Sequence, residues 1–277
     1  MIERFEVLAE GLNHPEGVAW NPVDGAVYAG GEGGEFYRVS LDGEVEELGA
    51  TGGSMLGIAV DGKGRVYACD DGNGEIARID PKTRKIETFA RGVGGVELDE
   101  PNVAAFGPDG SLYVTCSGGG GNPEIVRIRD GVTERWCDQV VEYPNGMAVL
   151  PAGEAMLVIE SQAQRIARLS IGADGAAGST TTFAELPDTD ADGLALDAEG
   201  HVWATLYRPD GLVRVDPGGN EVLRIDDHLA TTFDAPTNVA FVGDGLRRAV
   251  VANVGDRFLL WADLDVAGAS LHYPEVP

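Results

Sequence analysis

Six stretches of this chain open alike and recur at nearly even intervals. They begin at Glu16-Gly17-Val18-Ala19-Trp20, Leu56-Gly57-Ile58-Ala59-Val60, Asn102-Val103-Ala104-Ala105-Phe106, Asn145-Gly146-Met147-Ala148-Val149, Asp192-Gly193-Leu194-Ala195-Leu196 and Asn238-Val239-Ala240-Phe241-Val242, about 40 to 47 residues apart. That period is the size of a four-stranded propeller blade, and each opening is followed by a Gly-containing turn, a second apolar strand and two further strands. In Ser111-Leu112-Tyr113-Val114-Thr115 and His201-Val202-Trp203-Ala204-Thr205, apolar side chains fall on both faces, as in a sheet packed between two neighbours. The pairs Asp61-Gly62, Asp109-Gly110 and Asp210-Gly211 are expected to supply the positive φ of tight hairpins. No segment carries a long 3.6-residue apolar period with a helix cap. The expectation is an all-β, six-bladed β-propeller with four antiparallel strands per blade, forming one domain over residues 1–277. The stretch from Arg4 to Gly11 precedes the first opening yet resembles an outer strand, so it is expected to close the last blade and protect its edge.

Charge narrows the partners. The 277 residues carry 46 Asp and Glu against 20 Lys and Arg, a formal charge of −26, and no run of basic residues offsets it. Such a surface repels phosphate backbones and anionic membranes, which disfavours nucleic-acid and membrane partners and leaves a small molecule as the expected ligand. Oligomeric state is not legible. The three cysteines, Cys69, Cys116 and Cys137, lack metal-ligand spacing, and Cys69 and Cys116 are expected to be buried small hydrophobes. The N-terminus has no basic and apolar leader pattern and no stretch is long enough to span a bilayer, so the expected location is cytoplasmic.

Inner strands of a propeller line its axis, so residues that open different repeats converge at one mouth of the central channel. There stand Glu16, Asn102, Asn145, Asp192 and Asn238, while the second repeat offers only Leu56-Gly57. Two carboxylates with amide carbonyls form an all-oxygen donor set. It suits one divalent cation, Ca2+ first, with Mg2+, Mn2+ or Fe2+ as alternatives and Zn2+ less favoured. Taken singly, Asn145 and Asp192 before glycine read as turn residues; their shared place in the repeat is what argues for a ligand role.

The openings Pro15-Glu16-Gly17-Val18-Ala19-Trp20, Pro101-Asn102, Pro144-Asn145-Gly146-Met147-Ala148 and Asp192-Gly193-Leu194-Ala195-Leu196-Asp197 resemble those of the SMP-30/gluconolactonase/LRE family, six-bladed propellers that include sugar lactonases and phosphotriesterase-like enzymes. The resemblance runs along essentially the whole chain. It implies a divalent cation held by Glu16, Asn102, Asn145 and Asp192, with Asp192 as the catalytic carboxylate, acting as general base or nucleophile. His14, Glu100 and Asn238 are the expected substrate contacts. The sequence departs from the family's sugar-lactonase pattern at Glu100 and Val103, where that pattern has Arg and Asp. The change disfavours a glucono-type lactone, and Glu100 would repel an anionic sugar acid or bind a hydroxyl or cationic group. The leading expectation is a metal-dependent hydrolase of a small cyclic ester. The alternatives are a phosphotriesterase-like hydrolase on the same site and a non-catalytic binding propeller with a structural cation.

Overall fold

A computed structural model describes residues 4–277; residues 1–3, which open the N-terminal segment read above, lie outside it. Strands are numbered in chain order. After β1 (Glu6–Glu10), blade one is β2 (Val18–Asn21), β3 (Ala26–Gly30), β4 (Glu35–Val39) and β5 (Val45–Ala50). Blade two is β6 (Met55–Val60), β7 (Val66–Asp70), β8 (Glu75–Asp80) and β9 (Lys85–Ala90). Blade three is β10 (Pro101–Phe106), β11 (Leu112–Cys116), β12 (Glu124–Arg129) and β13 (Val132–Cys137). Blade four is β14 (Pro144–Val149), β15 (Ala155–Glu160), β16 (Arg165–Ile171) and β17 (Ala177–Glu185). Blade five is β18 (Asp190–Leu196), β19 (Val202–Arg208), β20 (Gly211–Val215) and β21 (Glu221–Asp226). Blade six takes β22 (Pro236–Val242), β23 (Arg248–Asn253) and β24 (Phe258–Asp263) from the end of the chain and β1 from its start, in the order β1-β24-β23-β22. The expected six-bladed propeller and its N-terminal closing strand are both observed. Among the described residues the only helical element is a 3-10 turn, Asp71–Asn73, and no helix is long and apolar enough to cross a membrane.

The inner strands β2, β6, β10, β14, β18 and β22 each touch the inner strands on either side, which closes the ring. Six hydrophobic cores result, one in each gap between adjacent blades. The second strands explain why: β3, β7, β11 and β15 are buried along their full length, so each must have apolar neighbours on both faces. Tyr67 on β7 meets Phe89 and Phe106 edge-on at 4.8 and 5.2 Å, joining blades two and three. Burying such a side chain contributes about 1.5–3 kcal/mol. Cys69 and Cys116 sit in that same core as free, fully buried thiols, and burial raises both pKa values.

The turn glycines need a correction. Of the three Asp-Gly pairs, only Gly110 has positive φ, at 85°. In the Asp61 turn that role passes to Gly64, with φ 80°. Gly211 opens β20, where a Cβ would lie 2.1 Å from the Ile225 carbonyl oxygen, so what it supplies is close strand approach rather than turn geometry.

Candidate functional site

Five of the six inner strands, all but β2, start with a disturbance of their ladder. In β10 the partners pass from Pro101↔Cys116 to Ala104↔Val114, so one extra residue is accommodated across Asn102-Val103. The same bulge spans Leu56-Gly57 in β6, Asn145-Gly146 in β14 and Asp192-Gly193 in β18. Bulges re-aim side chains, and these four lie at one end of the channel. The glycines here do not have positive φ. A Cβ on Gly17 would lie 2.0 Å from the Leu56 carbonyl oxygen, on Gly57 2.5 Å from that of Asn102, on Gly146 2.3 Å from that of Asp192, and on Gly193 2.5 Å from that of Thr237. Asn145-Gly146 and Asp192-Gly193 are therefore not turns. Their glycines let the next inner strand's backbone approach.

This chain of contacts also fixes the register. The residue whose carbonyl meets the preceding glycine is Leu56, Asn102, Asp192 and then Thr237, so blade six is represented at the mouth by Thr237, one position before Asn238. Residues with positive φ stand two places before the mouth residue in blades one, three, four and six, namely His14, Glu100, Tyr143 and Ala235, each followed by proline. The sequence signal for Thr237 was thus Pro236, which matches Pro15, Pro101 and Pro144.

The six mouth residues Glu16, Leu56, Asn102, Asn145, Asp192 and Thr237 all line one open cavity of about 510 Å³, together with Asp71, Glu100, Tyr143, Ser161 and Asp190. Of the residues expected from sequence, Glu16, Glu100, Asn102, Asn145 and Asp192 meet there. Asn238 does not line it; its side-chain oxygen accepts from the Val239 amide, and it faces the apolar channel below. His14 also lies outside the lining, with Nδ1 2.8 Å from the carbonyl oxygen of Val254, which does line the cavity.

Sequence reasoning missed two serines that orient the amides. Ser117 Oγ donates to the Pro144 carbonyl at 2.9 Å, so it accepts from Asn102 Nδ2 at 3.0 Å. Ser161 Oγ donates to the Ala191 carbonyl at 2.6 Å and accepts from Asn145 Nδ2 at 3.3 Å. With each amide nitrogen engaged, the amide oxygens Asn102 Oδ1 and Asn145 Oδ1 are left over, and like the carboxylate oxygen Glu16 Oε2 they are buried without a hydrogen-bond partner among the described residues. The available signal was that Ser117 and Ser161 both immediately follow the second strand of their blades.

Buried oxygens without donors are costly, and so are buried charges. Desolvation, then repulsion from Asp192 and Asp71, raises the Glu16 pKa well above the ordinary carboxylate range. Desolvation pushes Asp192 up to about 8, with the Asn145 side chain drawing it partway back. Uncompensated acceptors from four blades fit a hard divalent cation, which would satisfy the orphan oxygens and offset both carboxylates. Among the described residues no cluster of three or more His, Cys, Asp or Glu forms a metal site, in keeping with a donor set that is half amide.

A family model, the SMP-30/Gluconolactonase/LRE-like region, matches residues 14–254. The chain belongs to this family. It is 26% identical to the pentonolactonase XacC of Haloferax volcanii, over 87% of this chain and 81% of that one. The fold matches the gluconolactonase XC5397 of Xanthomonas campestris with a TM-score of 0.83 at 23% identity, covering 94% of this chain and 89% of that one. It matches the calcium-binding protein regucalcin of Agrobacterium tumefaciens equally, with a TM-score of 0.83 at 19% identity, covering 98% and 97%. The family window runs from His14 to Val254, the two residues joined by the hydrogen bond at the rim, and it leaves out the clasp strands β1 and β24.

Proposed function

We propose that this protein is a metal-dependent hydrolase of small cyclic esters, lactonase-like, with its active site at the mouth of the propeller channel. The observation that carries the reading is the convergence of Glu16 Oε2, Asn102 Oδ1 and Asn145 Oδ1, all buried and unpartnered, beside Asp192 in an open cavity. Relatives named for lactone hydrolysis support the same chemistry. Glu16, Asn102, Asn145 and Asp192 would hold one divalent cation, with Ca2+ the best match to an all-oxygen set. When bound, the cation supplies Lewis acidity toward the ester carbonyl.

The chain's own residues divide the remaining work. Glu16 balances charge, and the two asparagines, pinned by Ser117 and Ser161, orient without adding any. Asp192 accepts the proton of the attacking water as the new C–O bond forms, and returns it to the ring oxygen as the old C–O bond breaks, leaving a hydroxy acid. The cavity, whose lining includes Tyr143 and Tyr207, is open to solvent and admits a ring, which favours this reading over a closed structural cation. The test is hydrolysis of a lactone panel by protein treated with EDTA and then resupplied with Ca2+, Mg2+, Mn2+, Fe2+ or Zn2+. Activity should vanish on chelation and return with one of these ions. Activity indifferent to chelation, or no turnover of any lactone with any ion, overturns it.

A further inference from the structure

The mouth is unbalanced in charge. Glu16, Asp71, Glu100, Asp190 and Asp192 line it, and among the described residues no Lys, Arg or His does. A divalent cation offsets Glu16 and Asp192, which leaves Asp71, Glu100 and Asp190 on the rim, from blades two, three and five. Cationic groups near the rim are committed elsewhere. Arg91 donates Nε to Glu75 at 2.9 Å. Arg208, across the ladder from Asp190, turns to Asp210 at 3.1 Å and stacks over the Tyr207 ring at 4.6 Å. His14 is bound to the Val254 carbonyl.

Glu100 is held in place rather than loosely displayed. It and Tyr143 both adopt left-handed backbone, with φ 57° and 60°, which a non-glycine residue holds only when its surroundings fix it, and the Tyr143 hydroxyl donates to Glu100 Oε1 at 2.5 Å. Asp71 and Glu100 also border a neighbouring hollow of about 430 Å³ that is lined as well by Glu97, Asp99 and the Glu75-paired Arg91. Asp99 is already occupied in fixing the glycine loop through the Gly120 and Asn122 amides, whereas among the described residues neither Asp71 nor Asp190 receives such donors from a loop. At the mouth itself, the buried oxygens of Asn102 and Asn145, without hydrogen-bond partners among the described residues, mark a built ligand site and not a solvated surface cluster.

We propose that the mouth selects substrates by charge, taking a cyclic ester that bears a protonated amine in preference to a neutral one and rejecting an anionic one. This rests on the lactonase-like reading above and names its substrate class. The same rim hastens product release, since ester hydrolysis creates a carboxylate among three others.

The experiment compares γ-butyrolactone, its α-amino derivative and its γ-carboxylate derivative with the full chain at saturating Ca2+, low salt and a pH at which the amine is protonated. The amino compound should exceed the parent in kcat/KM by about tenfold, and the parent should exceed the carboxylate by a similar factor, as expected for three partly exposed charges. Both ratios should shrink in high salt and in Glu100→Gln and Asp71→Asn, because screening and neutralisation remove the same field. Equal turnover of the parent and the carboxylate, or ratios that neither salt nor either substitution moves, overturns the proposal. If none of the three is hydrolysed, the lactonase reading fails for this ring. Charge selection is then decided by calorimetric binding of the three compounds: amine over neutral over carboxylate upholds it, and any other order overturns it.

Discussion

Asp192, near the start of the inner strand β18, and Asp197, just past its other end, are treated in opposite ways. Asp192, at the mouth, is desolvated with little compensation and its pKa rises to about 8. Burial also works against the charge on Asp197, but the Trp203 indole, the His201 amide and Arg214 outweigh it and hold its carboxyl below the ordinary range. Beyond the far end of β6, Asp61 is likewise saturated with hydrogen bonds, from the Lys63 and Arg65 amides, the Arg65 guanidinium and the Tyr67 hydroxyl. The tail completes the contrast: His272 and Tyr273 cross the far end of the channel and bond to the Leu150 and Trp20 carbonyls. One end of the ring thus spends its polar groups on holding the fold together. The other leaves oxygens without partners, which is tolerable only if a ligand supplies what the protein withholds.

Substitutions at the two ends should therefore fail in different currencies. Asp192→Asn keeps an oxygen ligand and removes the proton acceptor, so turnover should fall by about 10²–10⁴-fold with the melting temperature maintained or raised. Initial rates with calorimetric cation binding check this, and activity surviving with the ion bound would refute the assigned role. Asp197→Ala should do the reverse, costing about 2–4 kcal/mol in urea unfolding by stranding Arg214 and the Trp203 N–H, with kcat little changed. Ser161→Ala should weaken cation affinity by about tenfold, since the Asn145 amide loses the acceptor that fixes its orientation. The same contrast governs the pH dependence of stability. Without cation, Asp192 has a folded pKa above its unfolded value, so folding takes up a proton and stability declines as pH rises from about 4 toward 8. For Asp197 the sign is opposite, and its contribution is lost as pH falls through its depressed folded value. Melting curves of chelated protein should show both limbs, with Asp192→Asn flattening the upper one; an unchanged upper limb in that variant would break the contrast.

The ring was legible because its period is long-range and repeated, and four of the mouth residues were legible because they recur at one place in it. Asn238 shows where such reading slips. The opening of blade six was aligned on its asparagine, whereas Pro236 and the left-handed Ala235 set the register and put Thr237 at the mouth. The glycines after Asn145 and Asp192 looked like turn residues, since sequence does not reveal that a neighbouring carbonyl, far along the chain, would collide with a Cβ. Ser117, Ser161 and Tyr143 escaped notice for a related reason: each matters through a partner in the next blade or the one before.

The glycine contacts at the mouth are not spread evenly. They join blade one to two and two to three, then four to five and five to six. Between three and four, and between six and one, a side chain replaces the glycine, in Val103 and Asn238. There hydroxyls span the gap instead, Thr115 donating to the Asn145 carbonyl at 2.9 Å and Thr237 to that of Glu16 at 2.8 Å. The aperture is therefore two tight arcs joined at two diametrically opposed seams. The proposed cation ligands are split evenly between the arcs, Glu16 and Asn102 in one, Asn145 and Asp192 in the other, so an ion bound by all four would act as a rivet across both seams.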